Sequence, residues 1–343
     1  MRFNRLGNSG LLVSELALGT MVFGEDGARS ASPDEAKVII DAYLDAGGNH
    51  IDTADVYAGG RSEEIVGKAL VGKRDRVVLA TKVRFRTGDG IHDAGLSRKH
   101  ILAGVENSLR RLQTDHIDLL YMHCWDPLTP IEESLRAFDD LVSAGKVGYI
   151  GVSNFKAWQL MKSLATSDAA GFSRFVAAQY QYSLIGRDIE PEFFDLLESE
   201  GLGLVPWSPL AGGFLSGKYE RDKRPAPEEG RLGSQPDGDE EAWVKRQDDR
   251  SWAVAGAVHA VAAEAGATSA AVALAWVLAQ PPVASTIIGV RTLSQLQANL
   301  EAANLSLPDE AMGTLNAASR QESRYPYRFL DNYGRRPIGL VGR

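Results

Sequence analysis

The alternation of strand and helix patterns constrains the fold of this 343-residue chain more than any other feature. Short runs rich in Val, Ile and Leu, such as RVVLATKV and HIDLLYMH, are each followed by a segment with the spacing of an amphipathic helix. We count eight of these units after an N-terminal β-hairpin whose turn lies at residues 7–10. Parallel strands joined by helical crossovers explain this order, so the sequence predicts an α/β fold, the (β/α)8 TIM barrel, with long βα loops.

An open, doubly wound sheet is the alternative fold for such an alternation. That fold usually carries a G-x-G-x-x-G motif directly after its first strand. The first strand here continues as LALGTMVFG, and GLGLVP at Gly201 has only the first half of the motif and leads into a strand. We therefore favour the barrel and expect residues 1–343 to form one domain.

Two segments do not follow the alternation. Residues 218–250 are polar and rich in Pro and Gly, and they form a long loop insertion of a kind that is usually functional or disordered. Residues 316–343 mix Arg with Tyr and Phe, which is unusual for a solvated tail. We expect this C-terminal tail to fold near the barrel mouth.

Composition and charge exclude several classes of protein. The net charge of −8 argues against a nucleic-acid partner, because phosphate backbones require a basic surface. The lone Cys124 excludes an internal disulfide. The N-terminus lacks the apolar segment of a signal peptide, and no apolar run reaches the ~18 residues of a membrane span. We expect a cytoplasmic protein without a membrane or nucleic-acid partner, while its oligomeric state is unknown.

Polar side chains stand at the ends of successive predicted strands. Asp52 ends the second barrel strand, with Tyr57 in its loop, and Lys82 and His123 end the next two. The carboxyl ends of barrel strands open onto one mouth, so these groups become neighbours. An ammonium stabilises a phenolate and is expected to lower the pKa of the phenol, while a carboxylate keeps that ammonium charged. Together these four residues could provide the acid–base catalysis that interconverts carbonyls and alcohols.

Each of these residues also has a structural interpretation. A strand-end Asp often serves as a turn or capping residue, and a Lys there can simply reach solvent. Because they all fall at the ends of successive strands or in their loops, a shared catalytic site is favoured over separate structural roles. A metal-dependent barrel hydrolase would need several His and carboxylate ligands at strand ends, and only one of the six His lies there. We therefore expect no metal.

Several motifs in the same order make the chain similar to the aldo-keto reductase family over nearly its whole length. They are LALGTMVFG, HIDTADVYAGGRSEEIVGKAL, VVLATKV, HIDLLYMHCWDP, GYIGVSNF, VPWSPLAGGFLSGKY and IIGVRTLSQLQANL. The resemblance implies an NAD(P)H-dependent oxidoreductase that transfers hydride between nicotinamide and an aldehyde or ketone, reversibly with alcohols. It implies that Tyr57 is the general acid and base, that Lys82 and Asp52 tune it, and that His123 orients the carbonyl.

The resemblance also implies a cofactor site. In the family pattern Ser153, Asn154 and Gln179 hold the nicotinamide amide, Trp207 stacks on its ring, and the 208–218 loop closes over the pyrophosphate. The full expected set is Gly19, Thr20, Met21, Asp52, Ser153, Asn154, Gln179, Trp207, Ser208, Leu210, Gly212, Leu215, Gly217, Lys218, Gly289, Arg291, Gln295 and Asn299. Arg291 opens the last long helix and favours a 2′-phosphate, so we expect NADPH in preference to NADH, with NADH possible.

The substrate is less determined than the chemistry. Phe23, Tyr57 and Trp125 are expected to form an apolar pocket that suits aromatic or bulky carbonyls. The sequence departs from many relatives at Ala298, where they carry an acidic residue, and at Cys124, which separates His123 from a Trp. Some members of the family are regulatory subunits that bind the cofactor with little turnover, and this alternative stays open.

Overall fold

The structure is a computed structural model that describes residues 1–26 and 30–334. An antiparallel hairpin of β1 (Phe3–Arg5) and β2 (Leu12–Ser14) precedes the barrel, as the sequence predicts. The Asn8 N–H donates to the Gly201 carbonyl at 2.7 Å. Gly7 has a φ of 57°, and a Cβ there would lie 2.4 Å from the Val176 carbonyl oxygen. The hairpin therefore packs closely against the strands from the end opposite the mouth.

Eight parallel strands form the barrel: β3 (Leu16–Gly19), β4 (His50–Asp52), β5 (Val78–Val83), β6 (Ile117–Met122), β7 (Val147–Ser153), β8 (Phe175–Gln179), β9 (Gly203–Leu204) and β10 (Thr286–Gly289). Their order in the sheet is β10-β3-β4-β5-β6-β7-β8-β9. Hydrogen bonds from Leu204 to Pro282 (2.7 Å), Ala284 to Leu204 (2.8 Å) and Ile287 to Pro206 (2.9 Å) join the two ends of the sheet. These bonds close the ring, and the predicted barrel is confirmed.

Helices follow the strands around the outside of the barrel. They are α1 (Pro33–Asp45), α2 (Arg61–Ala69), α3 (Arg98–Leu112), α4 (Ile131–Ser143), α5 (Ala157–Ala170), α6 (Asp195–Glu200), α7 (Arg231–Ser234), α8 (Asp249–Ala265), α9 (Ser269–Leu278), α10 (Leu293–Leu300), α11 (Asp309–Ser319) and α12 (Tyr327–Tyr333). The side chains of Ser97 and Asp248 accept backbone N–H groups at the starts of α3 and α8. Gly171, with a φ of 67°, ends α5.

The interior of the barrel is filled rather than hollow. A cluster of buried side chains that includes Leu6, Ala80, Ala177 and Val205 lies inside the ring. Tyr121 fits there because Gly151 has no side chain, and a Cβ at Gly151 would lie 2.5 Å from the tyrosine ring. A packed interior leaves the C-terminal mouth of the strands as the place where a ligand can enter.

The 218–250 insertion is packed against the barrel rather than solvated throughout. It contains α7 and a 3₁₀ turn at Trp243–Arg246, and Leu232 is fully buried. The Trp243 ring lies 5.7 Å from that of Tyr219 and 6.3 Å from that of Trp252 on α8. The polar composition of the insertion did not indicate this small apolar cluster. The cluster holds the insertion beside the mouth.

The C-terminal tail is only partly described, since residues 335–343 lie outside the described residues. The Tyr327 hydroxyl on α12 hydrogen-bonds to Glu192, in the turn that leads into α6. Tyr325, Phe329 and Tyr333 are exposed. The part of the tail that the structure describes contributes no residue to the cavity at the mouth, so closure of the mouth by the tail stays a prediction.

Within residues 1–26 and 30–334, no single helix is long and apolar enough to cross a bilayer, although α8 and α9 reach that length and composition together across a bend of 100°.

Candidate active site

A cavity of about 740 Å³ opens at the carboxyl ends of the barrel strands. It is lined by most of the residues expected to bind cofactor: Gly19, Thr20, Met21, Asp52, Ser153, Asn154, Gln179, Trp207, Ser208, Leu210, Gly212, Lys218, Gly289, Arg291, Gln295 and Asn299. Leu215 and Gly217 do not line it. Leu215 is 1% exposed and packs in the hydrophobic core, because the 3₁₀ turn at Phe214–Ser216 points it inward, and Gly217 ends that turn.

The Lys82 ammonium is buried directly behind Asp52 and Tyr57, which line this cavity. Pairing of β4 with β5 sets Asp52 opposite Ala80, so the Lys82 side chain reaches the Asp52 carboxylate in a short ion pair. The same nitrogen donates to the Thr53 carbonyl (2.8 Å) and to the Tyr57 hydroxyl (3.3 Å). Burial disfavours the ammonium, but Asp52 and Tyr57 more than offset this and raise the pKa of Lys82. The lysine is therefore charged at neutral pH.

The pKa of Tyr57 is shifted in the direction opposite to the lowering expected from the sequence. Burial of the phenol raises its pKa, the Lys82 charge lowers it, and the Asp52 charge raises it again. The result is a pKa above the ordinary value, so the expected lowering was wrong in its net direction. The reason is that burial, the largest cause, disfavours the phenolate, and the Asp52 charge opposes the lowering by Lys82. Tyr57 holds its proton at neutral pH and is available as a donor.

His123 stands beside Tyr57 on the cavity wall. The two rings meet edge to face with centroids 6.0 Å apart, and the Phe85 ring also packs against the imidazole, with centroids 4.6 Å apart. Burial, followed by the positive charges of Lys82 and Arg84, holds the pKa of His123 well below its ordinary value. A neutral imidazole can donate a hydrogen bond to a carbonyl oxygen. The structure thus brings the four predicted catalytic residues together.

Amide side chains connect this group to the neighbouring strands. Gln179 Nε2 donates to Asp52 Oδ2 at 2.8 Å. Asn154 Nδ2 donates to the His123 carbonyl at 3.1 Å, and its Oδ1 accepts from Trp207 Nε1 at 3.3 Å. Asn154 has a φ of 55°, a left-handed conformation that asparagine tolerates better than most residues. These bonds join the end of β8 to that of β4, and the end of β7 to that of β6 and to Trp207.

A loop from the insertion forms the opposite wall. Glu241, which is 2% exposed, accepts a short hydrogen bond from the Ser208 hydroxyl and pairs with Arg231 Nη2 at 3.0 Å. Arg231 lines the cavity, and its charge lowers the pKa of Tyr57. Sequence reasoning missed Arg231 and Glu241, because neither ends a strand. The one sequence signal for a role at the site was their position in the long, glycine-containing insertion at 218–250.

The family is decided by comparison with known proteins. A family model described as the aldo/keto reductase family matches residues 15–320. The chain belongs to the aldo/keto reductase family. By family, it is an NAD(P)H-dependent oxidoreductase that acts on CH–OH and C=O groups.

Several curated relatives of this reductase span most of its length. The uncharacterized oxidoreductase YrpG of Bacillus subtilis (strain 168) is 39% identical over 327 residues, which cover 92% of this chain and 95% of the relative. A probable voltage-gated potassium channel subunit beta of Arabidopsis thaliana is 38% identical, with coverage of 89% and 92%. Aryl-alcohol dehydrogenase [NADP(+)] of Phanerodontia chrysosporium is 34% identical, with coverage of 93% and 86%.

The structure corrects two residues of the reductase's expected substrate pocket. Phe23 is fully buried in the core, because its N–H closes a turn on the Thr20 carbonyl (2.9 Å). Trp125 packs edge to face on Phe155 at 5.1 Å. Neither lines the cavity. The apolar residues that do line it near the catalytic group are Met21, Val22, Val56 and Phe85.

The residues present in the reductase fit a nicotinamide dinucleotide. The positively charged side chains of Lys218, Arg231 and Arg291 line one cavity that also carries amide groups at its floor. Burial and then the Arg291 charge lower the pKa of Lys218, and a phosphate anion between these cations would relieve that repulsion. A Cβ at Gly230 would lie 2.5 Å from Lys218 Nζ, so glycine leaves room for the lysine there. Among the described residues, no cluster of three or more His, Cys, Asp or Glu could hold a metal ion.

Proposed function

We propose that this aldo/keto reductase uses NADPH to reduce an aldehyde or ketone, in a reaction that is reversible with the alcohol. The observation that carries the proposal is the buried Lys82 ammonium, which pairs with Asp52 and donates at 3.3 Å to the hydroxyl of Tyr57, a residue that lines the cavity. A bound nicotinamide supplies the hydride for the carbonyl carbon. The protein supplies the proton and holds the reacting oxygen.

The proton comes from Tyr57 in this proposal. The raised pKa of the phenol keeps it protonated in the resting site, and the neighbouring ammonium stabilises the phenolate that remains after transfer. Asp52 keeps that ammonium charged and directed, and it is held in turn by Gln179. In alcohol oxidation the same groups run in reverse, with the phenolate accepting the proton.

His123 orients the substrate oxygen. Its imidazole is neutral because burial and nearby cations depress its pKa, so it donates a hydrogen bond rather than a proton. Two donors, the Tyr57 hydroxyl and the His123 N–H, then converge on one oxygen at the cavity wall. These two donors stabilise the charge that develops on this oxygen.

The cofactor residues divide into two ends. Ser153, Asn154 and Gln179 supply amide and hydroxyl groups for the nicotinamide carboxamide, and Trp207 supplies an aromatic face for its ring. Lys218 and Arg231 supply positive charge for the diphosphate from the two ends of the loop that begins the insertion.

Arg291 supports the preference for NADPH. It lies directly before Thr292, the N-cap of α10, and its backbone N–H donates to Gln295 Oε1 at 3.0 Å. A helix N-terminus and a guanidinium both favour a 2′-phosphate at this position. Gln295 and Asn299 line the same end of the cavity and complete the proposed adenosine site.

The substrate class is an aromatic or bulky carbonyl. Val22, Val56 and Phe85 give the catalytic group an apolar surround, and Phe85 already packs on His123. An aryl ring placed there would bury apolar surface while its carbonyl faces Tyr57. The relative named aryl-alcohol dehydrogenase [NADP(+)] supports this choice.

The test is a substrate screen with purified protein. We expect NADPH oxidation with substituted benzaldehydes, and a kcat/KM at least about tenfold higher with NADPH than with NADH because the 2′-phosphate pairs with Arg291. A panel of aldehydes, ketones and sugars gives the breadth of the pocket. No turnover of any carbonyl with either cofactor would contradict the proposal.

A regulatory subunit that binds cofactor is the second candidate. The 38% identity to a probable voltage-gated potassium channel subunit beta favours it. Tight NADPH binding without turnover of any carbonyl, together with a phenotype that depends on a membrane partner, would support it. The cytoplasmic location predicted from the sequence is common to both candidates.

A further inference from the structure

Asp55 is a buried acid on the turn that carries Tyr57. Its side chain is 2% exposed, and it does not line the cavity. Within the described part of the chain, neither carboxyl oxygen has a hydrogen-bond partner. An unpaired carboxylate is strongly disfavoured in such a place, whereas an uncharged carboxylic acid is tolerated far better.

The groups packed around Asp55 are already engaged. Glu63 on α2 is fully buried and accepts from Thr81 Oγ1 (2.6 Å) and from Arg111 Nε (2.7 Å). Arg111 on α3 is the counterion of that glutamate, at 2.7 Å. Gly104 on α3 lies beside Asp55 and brings no polar side chain. Asp55 therefore lies near the Glu63 carboxylate, and the neighbouring cation, Arg111, is already paired with Glu63.

The backbone ties Asp55 to the catalytic group. Its N–H donates to the Lys82 carbonyl at 3.2 Å, and the Lys82 ammonium donates to the Thr53 carbonyl at 2.8 Å. The Tyr57 N–H closes the same turn on the Ala54 carbonyl at 3.2 Å. A change of charge on Asp55 thus acts on the turn that holds the catalytic tyrosine.

We propose that Asp55 is a positioning residue that must stay uncharged for Tyr57 to donate its proton efficiently. An ionised Asp55 would be repelled by the Glu63 carboxylate, and this repulsion would strain the turn that carries Tyr57. Its negative charge would also make the Tyr57 hydroxyl a weaker acid. The proposal rests on the proposed role of Tyr57 as the general acid.

The direction of the pH dependence follows from the neighbours of Asp55. Burial and then the Glu63 charge raise the pKa of Asp55 to about 8, while the charges of Arg111 and Lys82 act in the opposite direction. Carbonyl reduction is therefore expected to slow as pH rises through about 8. The protonated form below that pH is the competent one.

The experiment is a kcat profile for benzaldehyde reduction with saturating NADPH between about pH 6 and about pH 9.5. Wild type is expected to lose at least about threefold across the alkaline limb. Asp55→Asn, an uncharged isostere, should keep its neutral rate and lack the limb. Glu63→Gln should move the limb to lower pH, because the charge that raises the pKa of Asp55 is gone. Asp75→Asn, an exposed control, should match wild type.

Two results would overturn the proposal. One is an Asp55→Asn profile that superposes on that of wild type. The other is a Glu63→Gln limb that does not move, and this decides the matter if Asp55→Asn does not fold. Full turnover in Tyr57→Phe would instead refute the proposed mechanism, so the two failures are distinguishable.

Discussion

The two walls of the cavity are held by different means. On one wall, Asp52 lines the cavity and pairs with the buried Lys82 behind it, and the pairing of β4 with β5 places the two together. On the other wall, Ser208, Glu241 and Arg231 come from loop segments and are joined by a hydrogen bond and an ion pair. Strand register thus positions the proposed chemistry, while side-chain contacts position the proposed hold on the cofactor.

This difference predicts different kinetic effects. Substitutions on the strand wall should reduce kcat, because they remove groups proposed to act on the reacting oxygen. Substitutions on the loop wall should weaken cofactor binding and leave the chemical step largely intact. The variants below separate the two walls.

Replacement of the lysine on the strand wall is expected to have the largest effect. Lys82→Met should lower kcat by roughly 10²–10⁴, because Tyr57 loses the cation that stabilises its phenolate. It should also lower the free energy of unfolding by about 3–5 kcal/mol, since the Asp52 carboxylate is left buried without its partner. Steady-state kinetics and urea unfolding measure the two effects.

The matched control is Lys73→Met. Lys73 also pairs with an aspartate, Asp41, but both side chains are partly exposed, so the expected loss is about 0–1 kcal/mol. Equal destabilisation by the two substitutions would contradict the special status of the buried pair.

Removal of the guanidinium on the loop wall tests the other half of the comparison. Arg231→Ala should raise the Kd for NADPH by about tenfold, because a cation proposed to face the diphosphate is lost. The kcat at saturating cofactor should change by less than about threefold. Quenching of tryptophan fluorescence, to which Trp207 contributes, gives the Kd.

Arg224→Ala is the control from the same insertion. Arg224 is exposed and pairs with Asp237 at 2.7 Å, away from the cavity, so its removal should leave the Kd unchanged. A large fall in kcat for Arg231→Ala with an unaltered Kd would show that Arg231 acts on the chemical step. That result would contradict the division of roles between the two walls.

The most selective expected effect is a change of cofactor preference, because it concerns only one of the two cofactors. Arg291→Met should lower NADPH affinity by about tenfold and leave NADH affinity within about twofold, because only NADPH carries the 2′-phosphate. Arg320→Met, at an exposed arginine, serves as the control. Equal losses for both cofactors would place Arg291 elsewhere than at the 2′-phosphate.

The strand wall was predictable from the sequence, and the loop wall largely was not. Period and turn residues place Asp52, Lys82 and His123 at strand ends, and a parallel barrel brings strand ends together whatever the loops do. The spacing of Ile101, Val105, Leu109 and Leu112 predicts a helix over Arg98–Leu112, and α3 has those bounds. The pattern after β7 predicts a helix that ends at Leu164, but α5 continues to Ala170 through small residues that carry no apolar period, until Gly171 ends it.

Errors on the loop side have a common physical cause. The partners there are distant in sequence, so Arg231 could be paired with Glu241 only once the insertion was folded. Phe23 and Trp125 were assigned to the pocket from their type, but tertiary packing turned one into the core and the other against Phe155. The direction of the Tyr57 pKa likewise depends on burial, which the sequence does not reveal.

The central claim is that the Tyr57 hydroxyl delivers the proton, and Tyr57→Phe tests it most directly. The substitution keeps the ring and the Asp52–Lys82 pair while it removes the hydroxyl that lies 3.3 Å from the ammonium. We expect kcat for benzaldehyde reduction to fall by roughly 10²–10⁴ while the Kd for NADPH stays within about twofold. A kcat within about twofold of wild type, in a folded protein that binds NADPH normally, would contradict the account.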